Sequence, residues 1–332
     1  MYYRIRHLTR FRYSAPVSES LMEVRMHPRT EAHQRCLDYQ LAVTPKAGIH
    51  TYRDFLANSI HHFGIPGHHR QLQIMAESVV EMKPWHDLPY FLAPGAWAEL
   101  DRMVYLGDTL EMLLPSHYAR PTTALERLMH ELGAVRRDDP LSLLRELNTR
   151  IFEKFEYVPR STRVDSPIDD ALNQRAGVCQ DFAHIMIAMV RQLGIPCRYV
   201  SGYLHHREQD HDRSSDGATH AWVEALLPEL GWVGFDPTNN LLAGHRHIRT
   251  AIGRDYNDVP PTRGVFKGEA QSDLTVTVAV SACRELPPEL AELVVSTDDS
   301  FPQGVMALAN EEADILAAIE REQQMQQQQQ QQ

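Results

Sequence analysis

Cysteine is scarce in this chain, and Cys36, Cys179, Cys197 and Cys283 stand far apart, with no paired spacing. That scarcity argues against a disulfide framework or a structural zinc site and fits a reducing compartment, so a cytoplasmic location is expected. Basic charge is also short: 33 Lys and Arg against 44 Asp and Glu leave a formal net charge of −11. General nucleic-acid binding needs a basic surface and is not expected. No uncharged apolar run approaches the ~18–20 residues that span a bilayer, so no membrane partner is expected either. The opening Met-Tyr-Tyr-Arg-Ile-Arg-His lacks the apolar segment of a signal peptide.

What remains is an ordinary globular composition, 43% hydrophobic and 23% charged, over 332 residues. That length accommodates more than one core. Three regions are expected: a β-rich domain over 1–85 (sandwich or barrel), a helical segment plus catalytic core over 86–290, and a C-terminal helix with a disordered tail over 291–332. Tyr3–Tyr13 alternates apolar and long polar side chains up to a break at Ser14-Ala-Pro16. Short alternating runs follow at Leu21–Met26, Cys36–Val43, Ile49–Leu56, Ser59–Ile65 and Leu72–Val80. Helical spacing appears over Thr122–Leu132 and Leu141–Phe155, and a short helix is expected over Ile168–Leu172. Cys179 to Leu193 is apolar nearly all round, which marks a helix buried centrally. Strands are then expected at Cys197–Leu204, Ala218–Leu226, Gly231–Phe235, His247–Ile252 and Leu274–Ser281. Helices followed by antiparallel strands make an α+β class. Val305–Glu320 has helical spacing, and the glutamine tract Gln326–Gln332 is too polar to order itself.

Cys179 carries the chemistry. It follows Gly177 where a turn-rich loop becomes the apolar helix, so it sits in the first helical turn. Unpaired N–H groups and the positive end of the helix dipole favour a thiolate there and can hold an oxyanion. Downstream, Ala218–Leu226 and Gly231–Asp236 flank Leu227-Pro-Glu-Leu230, a plausible hairpin loop. A hairpin centred on Pro228 sets His220 directly opposite Asp236, on one face and within hydrogen-bond reach. Cys179 is then a nucleophile, His220 its base and later acid, and Asp236 the group that orients the imidazole. The Cys179 N–H is one oxyanion donor, with Tyr157 a candidate for the second.

The blocks Gly177-Val-Cys179-Gln-Asp181-Phe-Ala-His184, Leu193-Gly-Ile-Pro196-Cys-Arg-Tyr-Val-Ser-Gly-Tyr203, Thr219-His220-Ala-Trp222-Val-Glu224 and Gly231-Trp232-Val-Gly-Phe-Asp236-Pro237-Thr-Asn239 resemble the transglutaminase-like superfamily. The resemblance covers about Phe152 to Asn240 and points to the bacterial branch of predicted cysteine proteases, which carries an extra N-terminal β-rich domain. It implies a papain-like core, no cofactor, and Cys179, His220 and Asp236 as catalytic residues. It also implies acyl-thioester chemistry on a peptide or protein amide, with an ATP-grasp-type enzyme as a partner. Hydrolysis by a cysteine protease or amidase is the leading expectation. Transamidation or amide formation is the alternative, and a binding or scaffold protein with a vestigial site is a third reading, against which the intact triad counts.

Other residues invite quieter explanations. Cys36, Cys197 and Cys283 lie in strand-like runs and read as structural. Asp181 suits the helix start through the dipole alone, and His184 lies off the Cys179 face and is expected to pack. Trp222 and Trp232 share strand faces with His220 and Asp236; Trp222 is the candidate to wall the site, although such aromatics are usually core. His61-His62, His68-His69, His205-His206 and His211 read as solvated loop histidines, because neighbours on a strand point oppositely. Asp210–Gly217 lacks the ligand alternation of a calcium loop, but is placed to lie over the cleft and move with substrate.

Overall fold

The strand that carries the alternation from Tyr3 to Tyr13 runs on through Pro16 and makes one strand of 23 residues, β1 (Tyr2–Val24). Residues 1–31, 33–84, 87–207 and 209–283 are described, from a computed structural model. The expected break is instead a shift of register between Arg12 and Val17, where β1 exchanges one set of neighbours for another. Proline has no N–H for the ladder, and an irregular step is where a strand tolerates it. Four strands follow: β2 (Gln34–Thr44), β3 (His50–Arg53), β4 (Ser59–Ile65) and β5 (His69–Met82). The first half of β1 pairs with β5, and β5 with β2. The second half pairs with β4, and β4 with β3, all antiparallel. Val17, Met22, Phe63, Leu72 and Ile74, from both halves, form one buried cluster.

The helical segment contains α1 (Ala96–Leu106), α2 (Thr123–Leu132) and α3 (Pro140–Lys154). Thr122 and Asp139 cap the last two, and Pro140 stands in the first position, where its missing N–H costs nothing. Then come β6 (Glu156–Tyr157), α4 (Ile168–Gln174), β7 (Ala176–Gly177) and α5 (Cys179–Gln192). Helix α5 lies against α2, α3 and α4 and against the strands β8 (Cys197–Leu204) and β9 (His220–Leu227). Phe182, Ile185, Met186, Ile187, Met189 and Val190 are fully buried. Each such side chain contributes about 1.5–3 kcal/mol, so the helix behind the cysteine is held firmly. The strands β10 (Gly231–Asp236), β11 (Leu241–Leu242) and β12 (His247–Gly253) complete an antiparallel sheet in the order β11-β10-β9-β8-β12. It curls about Trp222, whose neighbours Val200, Ala243 and Ile252 come from both sides. Gly202 allows the closest approach, since a Cβ there would meet Ile248 O at 2.1 Å and the Trp222 ring at 2.8 Å.

The chain then returns to its beginning. The strands β13 (Thr262–Lys267) and β14 (Ser272–Cys283) pair with the second and first halves of β1. Leu274–Ser281, expected in the catalytic core, therefore belongs to the N-terminal sheet, and the division at residue 85 does not separate the two sheets. The expected C-terminal helix and glutamine tail lie outside the described residues.

The N-terminal strands also grip the sheet that carries His220 and Asp236. Tyr3, Ile5, Val80 and Met82 bury against Tyr203 and Ile248. Two side-chain amides finish the outer edge of β12. Gln34 accepts from Arg249 N at 2.8 Å and donates to Arg249 O at 2.9 Å. Asn58 does the same to Ile252, at 2.9 and 2.8 Å. Asn58→Leu strands a buried N–H and C=O and should cost about 1–3 kcal/mol for each group left unpaired, read as a lower urea midpoint at unchanged slope.

Candidate active site

Cys179 owes its position to a short hydrogen-bond circuit. Val178 is extended and precedes the helix, and Asp181 folds back so that its Oδ2 accepts from Val178 N at 2.8 Å. Thr162 Oγ1 donates to the same oxygen at 2.5 Å. Asp181 thus caps the helix, as expected of a structural residue. Gly177 is required here, because a Cβ would sit 2.8 Å from the Asp181 side chain. Parallel pairing of Tyr157 with Gly177 brings β6 alongside. By helix geometry the Cys179 N–H has no acceptor within α5 and faces outward from its end.

The two partners arrive on the β9–β10 hairpin, in a register different from the one expected. Leu227 pairs with Gly231 and Val223 with Phe235, so Asp236 stands level with Trp222 and His220 is diagonal to it. The loop is Pro228-Glu229-Leu230, with positive φ at Glu229 (64°) and Gly231 (70°), and Leu230 N donates back to Pro228 O at 2.7 Å. This moves the hairpin's centre to Glu229. The displacement shifts partners by an even number, so both side chains stay on one face. His220 Nε2 donates to Asp236 Oδ2 at 2.7 Å.

Asp236 is fully buried and is the acceptor for a ring of donors. Its Oδ1 accepts from Thr238 N at 3.1 Å and Asn239 N at 3.3 Å. Its Oδ2 also accepts from Asn239 Nδ2 at 2.8 Å and His247 Nε2 at 3.2 Å. Burial alone would raise its pKa, but the His220 charge and the His220 and His247 hydrogen bonds outweigh burial and hold it well below the usual carboxylate range. Burial likewise pulls His220 down, and the Asp236 charge and hydrogen bond, with help from Cys179, carry it up to about 10. Nδ1 of His220 is buried and takes no part in the Asp236 cluster, and Cys179 is close enough to help raise the ring.

Tyr157 is half-buried beside the cysteine, and its hydroxyl accepts from Ser215 N at 3.3 Å. Burial first, then Cys179, raises its phenol. Tyr256, which sequence reasoning missed, is raised to about 12 by burial, with Tyr118 and Cys179 adding to it. Trp222 corrects an expectation. It has no exposed surface and lies behind the histidines, 6.1 Å from His220 and 5.1 Å from His247 between ring centres. It is a floor under the site, not a wall of the cleft. Trp232 stands at the far end of β10 beneath the Arg198 guanidinium, 4.2 Å away.

Asn239 and His247 were not singled out from the sequence. Asp-Pro-Thr-Asn carried a usable signal, that of an aspartate capping its own turn. Nothing near His247 announced its role, which depends on the curl of the sheet. Asn239 Oδ1 accepts from Arg213 N at 2.8 Å and Ser214 N at 3.0 Å, so the polar loop before β9 is fastened to the Asp236 cluster. Asp210 and Asp212 in that loop turn to Arg246 at 3.1 and 2.7 Å. His184 is buried, stacked on Tyr118 at 5.3 Å, and accepts from Tyr256 N at 3.2 Å. Two of the supposed loop histidines are buried in strands instead. His69 bonds Ser20 Oγ at 2.9 Å, and His61 packs 4.9 Å from Tyr39. Among the described residues, one group has donors spaced for a metal ion: His220, Asp236 and His247, within 4.8 Å of one another.

The His220 shift sets a pH dependence of folding. Unfolded, the ring loses its proton near 6.5; folded, it keeps it to about 10. Its contribution is therefore whole below about pH 6.5 and is lost as pH rises toward 10. Asp236 acts oppositely, contributing above its ordinary 3.8 and losing that as pH falls. Urea unfolding from neutral to alkaline pH should show stability declining in the wild type and declining less in His220→Gln; equal slopes would show that the ring is not held charged.

Residues 3–81 match the family described as the bacterial transglutaminase-like N-terminal region, and residues 133–237 match the transglutaminase-like superfamily. An uncharacterized protein of Mycobacterium leprae is 32% identical over 279 residues, covering 84% of this chain and 98% of its own. A protein-glutamine gamma-glutamyltransferase of Pseudomonas aeruginosa is 32% identical over 135 residues, covering 38% of this chain and 19% of that one. A Cytophaga hutchinsonii protein for which cysteine protease activity is proposed shares the fold, with a TM-score of 0.65, 24% identity, and 86% and 93% of the two chains covered. The chain belongs to the transglutaminase-like superfamily.

Proposed function

We propose that this protein hydrolyses amide or peptide bonds through a thioester on Cys179. The observation that carries the reading is the buried His220–Asp236 pair behind a cysteine at a helix start. His220 holds the proton given up by the thiol as an ion pair, and the sulfur attacks the amide carbonyl. The tetrahedral oxyanion is held by the Cys179 N–H and by a tyrosine hydroxyl, that of Tyr157 or Tyr256. Collapse expels the amine, which leaves with the proton from His220. Water then attacks the thioester, giving up a proton to the same ring, and releases the acid and the thiol. Asp236 stabilises the imidazolium formed at each stage. The cytoplasmic location, proposed from the cysteine pattern, would keep Cys179 reduced.

A second reading keeps the thioester but lets an amine take the place of water. The glutamyltransferase relative favours it, though the similarity reaches only 19% of that protein. What separates the two is water access to the acyl-enzyme. Incubation of peptide substrates with a labelled amine distinguishes them, because only transfer retains the label. Cys179→Ala should lower turnover of a peptide-amide panel by at least ~10⁴-fold and abolish labelling by acyl fluorides, with thermal unfolding unchanged. Full activity in that variant would end the mechanism.

A further inference from the structure

His247 is the first residue of β12, 2% exposed, with its ring centre 6.1 Å from that of His220. Its Nε2 lies 3.2 Å from Asp236 Oδ2, the oxygen that also takes His220 Nε2. Its other nitrogen, Nδ1, accepts from the backbone N–H of Gly244 at 3.3 Å. A ring nitrogen that accepts from an N–H carries no proton. In the neutral ring the proton is therefore on Nε2, aimed at the carboxylate.

The donor spacing of this group also suits a metal ion, and hydrogen-bond polarity decides against one. An imidazole that binds a metal gives its far N–H to an acceptor. The far nitrogen of His247 faces a donor. Coordination through Nε2 would set the His247 and Gly244 N–H groups against each other. The ring is arranged to donate to Asp236.

The ring's place is set from the other sheet. Gln34 and Asn58 are both fully buried and hold the backbone of Arg249 and Ile252, on the strand that His247 begins. Each supplies one donor and one acceptor, as a neighbouring strand would. We propose that His247 is a positioning residue that fixes the Asp236 carboxylate for His220, and that Gln34 and Asn58 keep it in place through β12. The proposal rests on the thiol–imidazole reading above.

The groups facing His247 are Asp236, His220 and Trp222, with Arg246 beside it in the chain and occupied by Asp210 and Asp212. Burial lowers its pKa, Asp236 opposes that, and the His220 and Arg246 charges add to the lowering. A neutral His247 thus stands beside a charged His220.

Alkylation of Cys179 by iodoacetamide across acid to alkaline pH tests this on the full chain and needs no substrate. His247→Leu should slow alkylation at neutral pH on the order of ten-fold and move the acid limb of the profile to higher pH. His247→Gln, whose Nε2–H can reach the same oxygen, should return both to within about three-fold of wild type. Gln34→Leu should shift the profile the same way by less. An unchanged profile in His247→Leu overturns the positioning role, and one in Gln34→Leu overturns the hold through β12. A wild-type profile insensitive to His220→Gln sinks the thioester mechanism instead. Should the leucine variant not fold, ¹⁵N-histidine spectra of the wild type decide: His247 must be neutral with its proton on Nε2 at neutral pH, and a cationic ring or an Nδ1–H overturns the proposal.

Discussion

A buried carboxylate organises this protein. Asp236 has no exposed surface, and a lone charge at that depth would give up its ionisation to escape the cost of desolvation. It keeps the charge because one imidazolium and a set of neutral donors surround it, from the backbone of its own turn, Asn239 and His247. The donors come from four local structures: a strand start, an aspartate turn, a side chain that ties down a loop, and the far edge of the sheet. Loss of any of them leaves part of a charge unmatched in a low-dielectric interior, where such mismatches are expensive. Much of the surrounding structure can be understood as what it takes to bring these donors to one place.

The curl of the sheet that carries Asp236 is the first requirement. In strand order, β12 is separated from β10 by β9 and β8, yet His247 of β12 reaches Asp236 of β10. A flat sheet cannot bring them together, since strands stand roughly 4.8 Å apart. Wrapping around Trp222, with no side chain at Gly202 to hold the strands apart, brings the ends round. A curled edge strand is exposed on its outer side, and the N-terminal sheet covers it with Gln34 and Asn58. This gives the N-terminal β-rich region a physical purpose, and the return of β13 and β14 to β1 locks the two sheets into one unit.

Local signals made the position of Cys179, the proposed nucleophile, legible. A glycine, a polar turn and an apolar run place Cys179 at a helix start from sequence alone, and periodicity was enough to bury the helix behind it. The hairpin was legible as to face but not as to register. Its centre depends on Glu229 adopting a left-handed conformation that a non-glycine residue rarely takes, and nothing in its type announces that. Trp222 was placed on the correct face, but its depth depends on strands distant in sequence. The same holds for His247 and for the closing strands β13 and β14. Pairings across a chain of this length are set by the tertiary arrangement, and a pattern read over ten residues does not contain them.

The two imidazoles at Asp236 show why one carboxylate suffices. If both rings were protonated, two like charges would lie with their centres 6.1 Å apart around a single negative group. Burial and the Gly244 N–H keep His247 neutral, so Asp236 balances one cation, that of His220. In the proposed mechanism that cation carries the proton given up by Cys179, so forming the pair leaves the total charge of the thiol, ring and carboxylate unchanged. The proton has only moved from sulfur to a ring facing a negative group. The separated ion pair that results is supported on both sides, by the helix end at the sulfur and by the carboxylate at the ring. No solvent has to reorganise around a new net charge, which is what the proposed thiol–imidazole pair needs in a site this deeply buried.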